Sequence, residues 1–288
     1  MPGEGYAIAS AALYGLAGVA IAAGRGRARG DNGVFLSILV TTALTVWLWL
    51  GWGRGWPTGE GATRGLVLFA LAGLASTILG RVALYRATER IGAVGASLFR
   101  RLIPVFSLPV AFGLLGEIPD AGVLLGGGLI LAGVLSYSGL PSGLGAASGI
   151  LLGTGSALFY ALAYSLRRLG MDAVPDPALG ALVGAAVGVV GMPALAVLRR
   201  QRRVALRALI VDRGRWHWLA AVSLGAGQTL QFFALQGTTV SRVAVLGALD
   251  LVFSAALAGL VLRSEHLDWR RFGLSGGLAL LGTMIVFW

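Results

Sequence analysis

The sequence predicts an all-α integral membrane protein, with ten transmembrane helices arranged as two inverted five-helix repeats around a central cavity. Three observations predict it. Of 288 residues, 57% are hydrophobic and only 12% are charged, against about 25% charged in an ordinary soluble domain. With a mean hydropathy of +0.82, the chain has lipid as its solvent. Apolar runs of about 20 residues, long enough to cross roughly 30 Å of hydrocarbon as helix, recur from end to end. The second half of the chain also repeats the pattern of the first. A β-barrel would show alternating segments of about ten residues, and none occurs.

The ten runs are 6–24, 33–52, 65–87, 92–115, 121–139, 146–166, 178–198, 216–236, 240–262 and 270–287. The first follows Glu4 and precedes Arg25, Arg27 and Arg29, the reverse of a secretory signal, so it is expected to stay uncleaved. The second ends among Trp47, Trp49 and Trp52. With Trp56, Trp216, Trp218, Trp269 and Trp288 these form the aromatic belt expected near helix ends. The third carries Arg81, one turn from Thr77 on the same face. The fourth contains "SLFRRLIPVF", with Arg100 and Arg101 in an otherwise uncharged stretch and Pro104 and Pro109 able to bend the helix. Gly122, Gly126, Gly127, Gly128 and Gly133 crowd the fifth run, and Gly180, Gly184 and Gly188 recur every fourth residue in the seventh. Both patterns predict close helix packing. The eighth run holds Gln228, Thr229 and Gln231. The ninth holds Asp250, the one acid inside any of the ten runs.

The formal net charge of +11 comes from arginine, with no lysine present. Its distribution argues against nucleic acid as a partner. Links 1–2, 3–4, 7–8 and 9–10 hold fifteen arginines, and the opposite links hold five: Arg54, Arg64, Arg167, Arg168 and Arg242. The positive-inside rule makes the richer face cytoplasmic and puts both termini outside, in a multi-pass protein of the cell inner (plasma) membrane. "RRQRRVALRALIVDRGRW" reads as a basic interfacial segment. Without cysteine there is neither a disulfide framework nor a thiolate metal site. His217 and His266 both look interfacial, so no metal and no cofactor is expected, and enzyme chemistry has little to stand on.

"YRATERIGAVGASLFRRLIPVFSLPVAFGLLGE", 85–117, aligns without gaps on "FALQGTTVSRVAVLGALDLVFSAALAGLVLRSE", 233–265. "SAALYGLA" from Ser10 is echoed by "SALFYALA" from Ser156. The repeats are residues 1–140 and 141–288. Five helices per repeat is an odd number, so the halves enter the membrane with opposite orientation. Such inverted repeats are a transporter device, with the site near the midplane between them. The order "ALYRATERIGAVGASL", "IPVFSLPVAFGLLGE" and "VLLGGGLILAGVL" resembles the repeat unit of the EamA branch of the drug/metabolite transporter (DMT) superfamily. Val252 departs from that pattern where Pro104 stands in the first repeat. The resemblance implies ten helices, a cavity lined by helices 1, 3, 4, 6, 8 and 9, and transport of small polar metabolites, often outward.

Arg101 lies nine residues into the fourth run, roughly 13 Å deep at 1.5 Å per residue. In the repeat alignment Leu102 matches Asp250, so Arg101 and Asp250 are expected to meet across the pseudo-two-fold as an ion pair. A lone charge at that depth costs about 2.5–3.5 kcal/mol on insertion scales, so intramembrane charges line cavities or pair. Arg100 diverges from Arg101 by about 100°, leaving one arginine to pair and the other to bind. Arginine's planar fork matches carboxylate or phosphate, which predicts an anionic or zwitterionic small molecule as partner, alongside the bilayer, with monomer and oligomer both open. The candidate substrate-binding set is Arg81, Arg100, Arg101, Gln228, Gln231, Asp250, Tyr14, Tyr85 and Tyr160, with Tyr164 beside them. Against this stand bland readings: the charges as a structural lock between halves, the glutamines as interhelical hydrogen bonders, the tyrosines as packing. Glu117, Glu265, Asp120 and Asp268 read as helix-start acids.

The sequence thus predicts a metabolite transporter, amino-acid export first, working by alternating access. Two alternatives are a flippase for an anionic lipid or lipid-linked sugar, needing a lateral opening, and an integral-membrane enzyme acting on lipid headgroups, needing an interfacial nucleophile or metal. A pairing of Asp250 with Arg101 would favour facilitated or exchange transport over proton coupling.

Overall fold

A computed structural model describes residues 3–100, 102–137, 146–257, 259 and 269–286. The side chains of 92–98, 100, 134, 135, 137, 146, 251, 269, 271, 272 and 275 lie outside that description. The described residues are all-helical, and the first-half elements are α1 (Gly3–Arg25), α2 (Val34–Trp52), α3 (Ala62–Gly73), a π-helical stretch (Leu74–Gly80), α4 (Arg81–Arg100), α5 (Leu102–Leu115) and α6 (Ala121–Tyr137). The second half continues with α7 (Ala146–Ala173), α8 (Pro177–Val197), α9 (Arg202–Ala208), α10 (Arg215–Gly237), α11 (Val240–Gly247), α12 (Asp250–Ala256) and α13 (Trp269–Val286).

Three boundaries differ from the sequence reading. The expected gap between the third and fourth runs is absent, because helix persists from Ala62 to Arg100. "ATERIGAVGASLFR" contains no proline, and its glycines alone do not terminate a helix. Arg100 therefore lies in the helix that runs on from Ala62, and Arg101 lies outside the described residues. The sixth run extends past 166 to Ala173, which draws Arg167 and Arg168 into α7. The ninth run is interrupted: α11 stops at Gly247 and α12 starts at Asp250.

The packing repeats itself between halves. α1 lies along α10, and its equivalent α7 lies along α3 and α4; α5 packs on α7 as α11 and α12 pack on α1; α6 pairs with α13. Hydrogen bonds follow the same exchange. Ser10 Oγ donates to Gly227 O at 2.8 Å, and Ser156 Oγ donates to Gly80 O at 2.8 Å. The two serines that the internal alignment matches thus make the same bond to the opposite half.

Small residues set the helix spacings. A Cβ on Gly73 would lie 2.5 Å from Gly184 Cα, and one on Gly188 would lie 2.6 Å from Thr77 Cγ2. The four-residue glycine period of α8 therefore faces the third helix. Between α6 and α13, a Cβ on Gly126 would lie 2.5 Å from Gly282 O, and one on Gly282 would lie 2.4 Å from Gly126 O.

Each end of the bundle is closed by backbone-seeking carboxylates. At the arginine-rich end Asp212 accepts from the backbone N–H of Arg29, Gly30 and Asn32 at 2.7–2.9 Å. Asp31 accepts from Gly33 and Phe35, and burial, aided by the charge of Asp212, pushes its carboxyl up to about 6. His217, in the first turn of α10, is buried: its Nδ1 accepts from Gly214 N–H, so Nε2 carries the proton and donates to Asn32 Oδ1 at 3.2 Å. α9 buries none of its residues, as an interfacial helix would. At the other end Arg242 bridges Glu4 at 3.3 Å and Asp120 at 3.0 Å. The Val123 N–H, then Arg242, holds Asp120 below the usual carboxylate range. Glu117 caps not α6 but α11, accepting from Val240 and Ser241 N–H, so an acid of one repeat starts a helix of the other. Glu265, His266 and Asp268 lie outside the described residues.

Gly126→Val is expected to destabilise the protein by about 1–3 kcal/mol, because the added carbons drive α6 off the Gly282 carbonyl. Gly128→Val, whose Cβ meets nothing within 4 Å, is expected to be near neutral. Thermal unfolding of both variants in detergent checks this; equal melting points would contradict the close contact.

Candidate functional site

The third helix positions the first buried charge. Its π-helical stretch turns Ser76 and Thr77 into the bundle and hands over to α4 at Arg81, which is 1% exposed. Such a bulge widens the helix locally, a geometry common at functional sites. Arg81 Nη1 donates to Ser37 Oγ on α2 at 3.0 Å, and Nη2 donates to Gln228 Oε1 on α10 at 2.5 Å.

A second guanidinium lies beside it. Arg167 on α7, also 1% exposed, donates from Nη1 to Gln231 Oε1 and from Nη2 to Ser76 Oγ, both at 2.6 Å. Its Cζ lies 4.6 Å from the Phe232 ring centroid and 5.9 Å from that of Tyr164. Gln231 Nε2 donates to Tyr164 Oη at 2.5 Å, and Tyr14 Oη donates to Gln231 Oε1 at 3.4 Å. One helix turn of α10 therefore supplies a glutamine to each arginine, and the two cations are near enough to repel one another.

The partners are all neutral. Among the described residues neither Arg81 nor Arg167 has a carboxylate within ion-pair distance. Arg81 Nε, Arg167 Nε, Gln228 Nε2 and Thr77 Oγ1 are buried without a hydrogen-bond partner. Three of these atoms are donors only, and the fourth is a hydroxyl. The cluster is thus rich in N–H groups and short of acceptors, the chemistry that receives an oxyanion.

Asp250 lies close by. It opens α12 after the break and is 4% exposed, and with Tyr14, Tyr164, Ile103, Pro104 and Gly247 it surrounds a space of about 10 Å³. That is room for about one water molecule, so the halves meet closely here. α1 fits against the break through Gly15, where a Cβ would lie 2.6 Å from Asp250 O. Interrupted helices of this kind form the midplane sites of many transporters.

Arg81, Gln228, Gln231 and Tyr14 are brought into one network, and Asp250 borders it. Tyr160 packs its ring on Gly80 and lies near enough to Arg167 to interact with its charge. Tyr85 packs among Ile21, Val34 and Ile38, beside Ser37 and near enough to Arg81 to interact with its charge, and also borders a lateral trough. Arg101, the side chain of Arg100 and therefore the Arg101–Asp250 pair lie outside the described residues. Ser37, Ser76 and Arg167 were not singled out by the sequence. Arg167 had been counted among the arginines of an outer link, yet it is wholly buried. The signal that finds it is its spacing of three from Tyr164 and seven from Tyr160, which places all three on one helix face.

Comparisons with known proteins agree with this architecture. The profile of the EamA-like transporter family matches the chain twice, over residues 1–139 and 147–288. No curated protein matches it in sequence. It superposes on a crystal structure of a protein with a TM-score of 0.71, covering 98% of this chain and 95% of the other at 15% identity, which shows a shared fold. With both halves matched by one profile, an all-helical two-repeat membrane fold and a buried polar site between them, the chain belongs to the EamA-like transporter family.

Proposed function

We propose that the protein moves a small metabolite bearing a carboxylate or phosphate across the inner membrane, amino-acid export being the first candidate, by rocking its two halves around Arg81 and Arg167. The observation that carries this reading is the donor-rich cluster in which, among the described residues, neither guanidinium has a carboxylate within ion-pair distance. Two guanidiniums out of water cost several kcal/mol each unless hydrogen bonds and counter-charge offset the loss. Neutral glutamine and serine oxygens supply the hydrogen bonds but not the charge. A bound oxyanion supplies it, and leaves when the halves part and water enters. Arg100 and Arg101 belong to the same proposal as further anion contacts, on the sequence argument alone.

Alternating access needs an end that opens. The Arg242 bridge to Glu4 and Asp120 joins elements of both repeats at one end, and its exposed arm to Asp120 breaks cheaply. The small central space fits a bundle drawn together around its site.

The test separates site from lock. Arg81→Met alone strands Gln228; Arg81→Met with Gln228→Leu removes both members and is expected to fold with a near-native melting point. In proteoliposomes the double variant is expected to lose about 10–100-fold in transport of an anionic or zwitterionic metabolite, the worth of one charge-assisted hydrogen-bonding partner. Native transport by a folded double variant would refute the assignment. For orientation, the proposal places the arginine-rich end in the cytoplasm. The chain has no native cysteine, so Arg203→Cys is expected to resist an impermeant thiol reagent in intact cells while Glu60→Cys reacts. The reverse pattern would invert the topology.

A further inference from the structure

A trough of about 500 Å³ lies outside the central network, between α2, the third helix, α8 and α9 at the arginine-rich end. Its lining is sorted by depth. Asp31, Arg86, Glu89 and Arg199 stand at its mouth; Ile78, Leu79, Val82, Leu152, Met192 and Leu195 form its inner wall. Asp31 immediately precedes α2 and Arg199 immediately follows α8, so the mouth is at the level of the helix ends. Met192 is seven residues before Arg199, and Leu79 seven before Arg86, placing the apolar wall roughly 10 Å deeper at 1.5 Å per residue. Leu79 and Leu195, 41% and 51% exposed, form lips open to the side of the bundle.

Two mouth groups are carboxylates and two are guanidiniums, so the rim is balanced in charge. Among the described residues Glu89 makes neither an ion pair nor a hydrogen bond, although Arg25, Arg86 and Arg90 share its surroundings.

We infer that this trough binds a zwitterionic aminophospholipid of the phosphatidylethanolamine type. Arg86 and Arg199 take its phosphate, Glu89 and Asp31 its ammonium, and one acyl chain lies along Ile78, Leu79, Val82 and Met192. α9, an exposed helix carrying Arg202, Arg203 and Arg207, lies over the mouth at the headgroup level. The ammonium selects against two other common headgroups. Choline has no N–H to give Glu89, and a glycerol headgroup keeps the phosphate but puts a neutral diol in place of the ammonium, leaving the two carboxylates without their cation.

The experiment uses the full chain in detergent, doped in turn with phosphatidylethanolamine, phosphatidylcholine, phosphatidylglycerol or chain-free glycerophosphoethanolamine. Retained lipid is read by native mass spectrometry and stabilisation by melting temperature. Phosphatidylethanolamine is expected to bind about tenfold more tightly than the other two lipids, the worth of one charge-assisted hydrogen bond, and the chain-free headgroup is expected to give no shift. Glu89→Gln should erase the preference, and Met192→Trp should erase lipid retention by filling the trough. Where Met192→Trp fails to fold, Leu195→Trp at the exposed lip serves instead. Equal binding of all lipids, stronger binding of phosphatidylglycerol, a full effect from the chain-free headgroup, or an unchanged preference in Glu89→Gln would each overturn the inference.

Discussion

Two arginine side chains held 1% exposed inside a lipid-embedded bundle constrain everything around them. Each guanidinium must find oxygen atoms, and water is too far away to supply them. The bundle meets this demand with two glutamines one turn apart on α10, and with Ser37 and Ser76 from the second and third helices. Those acceptors fix the rotation of α10 against α2, α4 and α7. The π-helical stretch at 74–80 fits the same demand, since it turns Ser76 toward Arg167 just before the chain delivers Arg81. The local irregularity and the buried charge are one arrangement.

Close packing between the halves makes that arrangement hold. Gly73 against Gly184, Gly15 against the Asp250 backbone and Gly126 against Gly282 bring helices to backbone contact. The serine bonds from Ser10 and Ser156 to opposite third helices repeat the same fastening on both sides of the pseudo-two-fold. A rigid, doubly fastened interface with an interrupted helix beside it suits a bundle that moves as two bodies rather than by local bending.

Most of this architecture was legible in the sequence, because hydropathy and self-similarity are properties of long segments. The glycine period of α8, the buried Arg81 and the pair Gln228 and Gln231 were legible too, since a charge or amide deep in an apolar run has few alternatives to the interior. Individual boundaries were not. Nothing local marks that helix persists through 88–100, where the runs were expected to be separated by a link. Arg167 escaped because an arginine pair at the end of an apolar run reads as a link. Only the helix's continuation to Ala173 turns one member inward while Arg168 reaches the Leu235 carbonyl and Asp172. Glu117 was correctly read as a capping acid, but its client belongs to the other repeat, and no local pattern specifies a partner 123 residues away.

The account's central claim is that Arg81 and Arg167 await an anion. The most direct measurement is a thermal-shift titration of the purified chain with matched small carboxylates, phosphates, neutral analogues and amines, repeated on Arg167→Met paired with Gln231→Leu. The account predicts that stabilisation comes from carboxylate- or phosphate-bearing compounds and disappears in the paired variant while its own fold persists. Stabilisation by amines alone, or an anion response that survives intact in the paired variant, would contradict it.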